Sequence, residues 1–163
     1  MKTISVIGGS SASEPILALA EQVGQEIAKR EAVLVCGGLG GVMEYACRGA
    51  KAHGGLTIGI LPSDIKQSAN DYVDIAIPTG LGHARNYLVA KSGDAVIVID
   101  GSAGTLSEMA IAWFSGIPVI ALVPSGGWAK ELANRKIDER RPDKIYGAGS
   151  PKEAVDLAFE LMS

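Results

Sequence analysis

Between Asp100 and Glu108 the chain reads Asp-Gly-Ser-Ala-Gly-Thr-Leu-Ser-Glu, a run of glycines and hydroxyls closed by a carboxylate. The apolar run Ala95–Ile99 before it reads as a buried strand. Leu106, Met109, Ala110 and Trp113 after it fall at helical spacing. A turn from strand to helix presents free backbone N–H groups at the positive end of a helix dipole, and this favours an anion. The chemistry expected of Gly101, Ser102, Gly104 and Thr105 is therefore phosphate binding, or the placing of the Glu108 carboxylate beside a phosphate.

Arg85 is the second residue with chemical potential. It follows Gly80-Leu81-Gly82 near a predicted helix start, where a cation opposes the dipole by about 0.3–1 kcal/mol. Either Glu108 or a ligand phosphate offsets that term, since arginine binds both bidentately, or the helix starts elsewhere and Arg85 is a surface residue. Glu108 shares a helix flank with Thr105, beside the apolar face of Leu106, Ala110 and Trp113, which puts a carboxylate next to the core. Two further glycine clusters follow apolar runs: Gly8-Gly9-Ser10-Ser11, and Gly37-Gly38-Leu39-Gly40-Gly41. The first either cradles a phosphate or is a tight turn that uses glycine for positive φ. The second has two Gly-Gly pairs, more than one turn requires, and points to close backbone approach to a ligand. His53 and His83 have no ligand-spaced partners, so no metal site is expected.

These residues need elements to position them. Strands are predicted at Thr3 to Ile7, Ala32 to Cys36, Thr57 to Leu61, Ala95 to Ile99 and Pro118 to Val123, with a weaker one at Tyr72 to Ile77. Helix stripes run through Ile16, Ala20, Val23 and Ile27, with Ser13 a candidate cap and Pro15 in the first turn. A small-residue face of Val42, Ala46, Gly49 and Ala50 is suited to packing on a sheet. Further stripes are Ala84, Leu88 and Lys91, and finally Ala154, Leu157, Ala158 and Leu161. The strands are continuous apolar runs rather than alternating ones, the mark of a parallel sheet covered on both faces. The expected architecture is one α/β domain over residues 1–163, a Rossmann-like, doubly wound, mostly parallel sheet with helices on both faces. In such folds ligands bind at the carboxyl ends of the strands, and all three glycine clusters fall there. Residues 124–150 read as a solvated surface segment, with a lid as the alternative, and with a loop at Gly126-Gly127-Trp128.

A hydrophobic content of 47% fits a globular chain, and a net charge of −3 argues against a broad nucleic-acid footprint. The two cysteines, Cys36 and Cys47, form neither a disulfide framework nor a zinc pattern and are expected to pack as small apolar groups. No apolar run approaches the roughly 20 residues that span a bilayer, so the chain reads as soluble and cytoplasmic. Ordinary NAD binding is disfavoured because strand two ends in Cys36 rather than an acid. No Walker A loop occurs, which disfavours ATP-driven phosphoryl transfer.

Three segments in order carry a family resemblance: Gly37-Gly38 through Gly41-Val42-Met43-Glu44; Gly80-Leu81-Gly82-His83-Ala84-Arg85-Asn86; and Gly101 through Glu108. Together they resemble the Lonely Guy and molybdenum-cofactor-carrier superfamily, once labelled lysine decarboxylase-like, and are most similar to its carrier-like branch. The resemblance covers about residues 3–125. It implies a Rossmann-like fold, a homodimer or homotetramer, and a phosphorylated small ligand, pterin or nucleotide. In Lonely Guy enzymes the reaction is hydrolysis of the N-glycosidic bond of a nucleoside 5′-monophosphate, and their catalytic arginine and glutamate fall on Arg85 and Glu108. This sequence departs at three positions: Asp100 replaces a proline, Ser102 a glycine, and Asn86 the lysine that usually follows the arginine. The resemblance thus implies a carrier for molybdenum cofactor, held by Gly9, Ser10, Ser11, Gly37, Gly38, Gly40, Gly41, Arg85, Gly101, Ser102, Gly104, Thr105 and Glu108. The alternatives are a phosphoribohydrolase using Arg85 and Glu108, or a nucleotide sensor without turnover.

Overall fold

Seven strands pair in parallel, in the order β4-β3-β2-β1-β5-β6-β7. The computed structural model describes residues 1–162. The strands are β1 (Thr3–Gly8), β2 (Val33–Cys36), β3 (Thr57–Leu61), β4 (Ile75–Pro78), β5 (Ala95–Ile99), β6 (Val119–Leu122) and β7 (Tyr146–Ala148). The helices are α1 (Glu14–Lys29), α2 (Val42–Ala52), α3 (Arg85–Ser92), α4 (Ala103–Phe114), α5 (Gly127–Leu132) and α6 (Pro151–Leu161). The chain winds outward from β1 to β4, then returns to lay β5 against the other side of β1. Neighbouring turns therefore part company between β1 and β5, and this switch opens a crevice at their carboxyl ends.

The central strands are buried throughout, as continuous apolar runs require. One face of the sheet is covered by α1, α2 and α6, whose Val23, Ile27, Val42 and Val155 join Ile4, Leu34 and Ile97. The other is covered by α3, α4 and α5, whose Val89, Met109, Trp113 and Ala129 join Ile7, Val35 and Val98. The doubly wound α/β expectation is met.

Four local expectations are corrected. The small face of α2 serves a neighbouring helix as well as the sheet: Val42, Ala46 and Ala50 join the sheet core, while a Cβ on Gly49 would lie 1.9 Å from the Glu21 carbonyl of α1, and one on Gly24 would lie 1.9 Å from the Ala46 carbonyl. On α3 the buried stripe is Arg85, Asn86, Val89 and Ala90, whereas Leu88 and Lys91 are exposed. The polar pair is buried because it faces the crevice, so apolar spacing alone chose the wrong face. The weaker strand shifts toward its end, to Ile75–Pro78, because Tyr72 and Asp74 are tied to Thr57. Residues 124–150 are not simply a surface segment: α5 buries Ala129, β7 extends the sheet beside β6, and Ile145 is fully buried between them. Gly126 and Gly127, both at positive φ, disguise the start of α5, and β7 is too short to show a period. Among the described residues no helix is long and apolar enough to cross a membrane.

Candidate functional site

The crevice holds a cavity of about 450 Å³, within the range usual for small-molecule sites. Gly8, Gly9 and Ser10 from the turn after β1 form one side. Ser102, Gly104, Thr105 and Glu108, from the first turns of α4, form another. Arg85 and Asn86 enter from the start of α3, and Gly37, Leu39, Met43 and Pro62 complete the wall with Gly82 and His83.

Two turns meet at its floor. The Val42 N–H donates to the Gly9 carbonyl at 3.0 Å, so the turn after β2 is tied to the turn after β1. Gly41 makes this approach feasible: its φ is +65°, and a Cβ there would stand 2.4 Å from the Ser10 carbonyl carbon. On the far side Asp100 holds a φ of 57°, unusual outside glycine but tolerated by aspartate. Its peptide is fixed by the β6–α5 connection. The Asp100 N–H donates to Ser125 Oγ at 2.7 Å, and its carbonyl accepts from the Ala129 N–H at 3.1 Å. This fixes the turn that starts α4, whose cap position, Ser102, makes no capping bond through its side chain.

Arg85 is only 8% exposed and Glu108 only 7%. The guanidinium donates from Nη1 to Asn86 Oδ1 and from Nη2 to the Gly37 carbonyl at 3.4 Å, while Nε is buried without a partner. A Cβ on Gly37 would sit 2.6 Å from that Nη2, so glycine here makes room for the cation. Glu108 lines the same cavity, yet its carboxylate forms no ion pair with Arg85 within 4.0 Å. Burial pushes the Glu108 carboxyl up to about 8, with the Arg85 charge only partly opposing it. Burial also lowers Arg85 from its ordinary value, against the pull of Glu108. At neutral pH the site therefore holds a guanidinium and a largely protonated carboxyl, a net positive pocket with one donor nitrogen unspent.

Of the residues read from the sequence, Gly9, Ser10, Gly37, Arg85, Ser102, Gly104, Thr105 and Glu108 line the cavity. Five others lie off its wall. Gly38 is pressed against Leu61 of β3, Gly41 closes on Ser10, and Gly101 packs behind Thr105. Gly40 borders Glu44, and Ser11 is exposed beyond the turn. Their glycines serve chain geometry around the cavity. Asn86, singled out in the sequence as a departure from the family pattern, is on the wall too, whereas Met43, Leu39 and Pro62 were missed as wall residues. Met43 and Asn86 stand inside segments already singled out, but an apolar residue and an amide carry no chemical signature of their own.

The SLOG cluster4 family profile matches residues 1–155. The chain belongs to the SLOG cluster4 family. Family likeness extends to solved structures over nearly the whole length. A molybdenum cofactor binding protein from Rippkaea orientalis superposes with a TM-score of 0.88 at 40% identity, covering 99% of this chain and 98% of that one. The molybdenum cofactor carrier protein from Chlamydomonas reinhardtii gives 0.86 at 31% identity, covering 99% of each. A cytokinin riboside 5′-monophosphate phosphoribohydrolase from Mycobacterium marinum is 31% identical over 149 residues, 81% of this chain and 79% of that one.

Proposed function

We propose that this protein binds molybdenum cofactor by its terminal phosphate and carries it without chemical change. The observation that carries this reading is the buried guanidinium of Arg85, with Nε unpartnered, facing the glycine- and hydroxyl-rich start of α4 across one cavity. The backbone N–H groups around Ser102, Gly104 and Thr105 and the Arg85 donors suit a phosphate, which accepts from both. The Gly9-Ser10 turn supplies further polar contacts. Leu39, Met43 and Pro62 suit the flat ring system of a pterin. A protonated Glu108 adds a donor and removes a repulsive charge. The likeness to the Rippkaea and Chlamydomonas proteins over the whole chain supports the same choice of ligand.

A second reading, hydrolysis of a nucleoside 5′-monophosphate, is favoured by Arg85 and Glu108 sharing the cavity and by the mycobacterial relative. A nucleotide sensor would use the same donors without turnover. The carrier is taken to act in the cytoplasm as a homodimer or homotetramer. Tyr87, Leu88 and Phe114 support self-association, because they leave large apolar surface exposed on α3 and α4.

The test is anaerobic loading of purified protein with molybdenum cofactor. The carrier reading expects stoichiometric retention through gel filtration, recovery of intact pterin, and no ribose 5-phosphate from adenosine monophosphate. Steady release of ribose 5-phosphate that is lost in Arg85→Ala and Glu108→Ala would replace it with the enzyme reading.

A further inference from the structure

We propose that Asn86 is a positioning residue that holds the Arg85 guanidinium off Glu108, and so makes this a site that binds a phosphorylated ligand without cleaving it. The inference rests on the binding reading above and names the residue that decides between binding and hydrolysis.

The geometry is a chain of contacts. Asn86 Oδ1 accepts from Arg85 Nη1, and Asn86 Nδ2 donates to Ser107 Oγ at 3.3 Å. Ser107 Oγ in turn donates to the Gly104 carbonyl at 2.6 Å, within the first turn of α4. Asn86 is itself only 5% exposed. Its amide therefore cannot rotate without giving up a bond on one side or the other. With the Gly37 carbonyl on Nη2, both terminal nitrogens of Arg85 have acceptors other than Glu108. That is why a guanidinium and a carboxyl buried in one cavity form no ion pair.

The consequence is chemical. Hydrolysis of an N-glycosidic bond breaks the sugar C1–N bond, with the electron pair leaving on the base nitrogen. A water oxygen bonds to C1, its proton passes to a general base, and the leaving nitrogen takes up a proton. A general base must be ionised to accept that proton. An arginine paired to Glu108 would keep it ionised at neutral pH; an arginine held by Asn86 does not. Besides Arg85, the titratable group coupled to Glu108 is the Cys36 thiol at the end of β2, which cannot supply a cation, and His83 lines the cavity mouth. A lysine at position 86 would offer no acceptor to Arg85 and would add a second cation, which reverses both effects.

The experiment uses the full chain with carboxyl-carbon NMR of labelled glutamate, the Glu108 signal being assigned by its loss in Glu108→Gln. Asn86→Ala and Asn86→Lys should lower the Glu108 midpoint by about one unit or more. Asn86→Asp keeps an acceptor for Arg85 and should leave it at or above the starting value. A merely structural role would move the Ala and Asp variants in the same direction. Ser107→Ala, which frees the far end of the amide, should shift the midpoint the same way as Asn86→Ala and guards against misfolding of the latter. An unchanged midpoint in both Asn86→Ala and Ser107→Ala would overturn the role given to Asn86. Turnover of adenosine monophosphate by the unaltered protein, measured in parallel, would overturn the binding reading on which it rests.

Discussion

Val42 donates its N–H to the Gly9 carbonyl at 3.0 Å, and through this bond the turns after β1 and β2 form a single floor. Gly41→Ala should break that floor. A methyl group at φ +65° meets the Ser10 backbone, and this glycine-favouring backbone conformation alone costs about 1–3 kcal/mol. Thermal unfolding should occur several degrees lower, and affinity for the phosphorylated ligand should fall with it.

Arg85→Ala should separate binding from stability. A hydrogen bond to a charged group contributes about 1.5–3 kcal/mol, so loss of the guanidinium should weaken phosphate-ligand binding roughly ten- to a hundredfold. Calorimetry of the empty protein should show no matching loss of stability, because the substitution also removes a buried Nε that has no partner. A parallel fall in melting temperature and affinity would mean that Arg85 mainly holds the fold.

The pH profile has a definite sign. Glu108 titrates near 8 in the folded chain against an ordinary value of 4.5, so between these limits the folded state binds the proton more tightly. Stability should fall as pH rises across this window, by up to about 1.4 kcal/mol per unit. Glu108→Gln should remove the slope and gain most over the natural residue at pH 8, with little difference near pH 4.5. Denaturant titrations at both ends check this. Phosphate-ligand binding should also weaken above pH 8, where the ionised carboxylate repels the anion.

Cys36 and Cys47 lie with their sulfurs 3.5 Å apart, both buried. The bond to Cys36, and then burial, push the Cys47 thiol well above the ordinary range. A thiol-specific reagent should label neither in the native protein, with labelling following global unfolding in denaturant.

Much of this arrangement was legible in the residues. The uninterrupted apolar runs of β2, β5 and β6 pointed to a parallel sheet, and glycine clusters after β1, β2 and β5 pointed to one ligand edge. Arg85 and Glu108 stood out because a charge beside an apolar face needs a reason. What stayed hidden depends on contacts distant in sequence. Gly49 shows a small side chain but not that Glu21 is its neighbour, and Asn86 shows an amide but not that Ser107 anchors it. On α3 the periodicity favoured Leu88 over Val89, since a helix with apolar residues on two sides does not say which one meets the sheet. The start of α5 was concealed by Gly126 and Gly127, whose positive φ makes them read as loop.

The latch on Asp100 bears on how the protein can change. The backbone of the turn that opens α4 is fixed by Ser125 and Ala129, residues that do not line the cavity. The β6–α5 connection is thus a remote adjuster of the turn that opens α4. Substitutions there can tilt the first N–H groups of α4 while every cavity wall residue keeps its identity. Homologues that differ only in this connection should differ in ligand preference, and a library confined to Pro124–Ala129 should retune the seat from outside it.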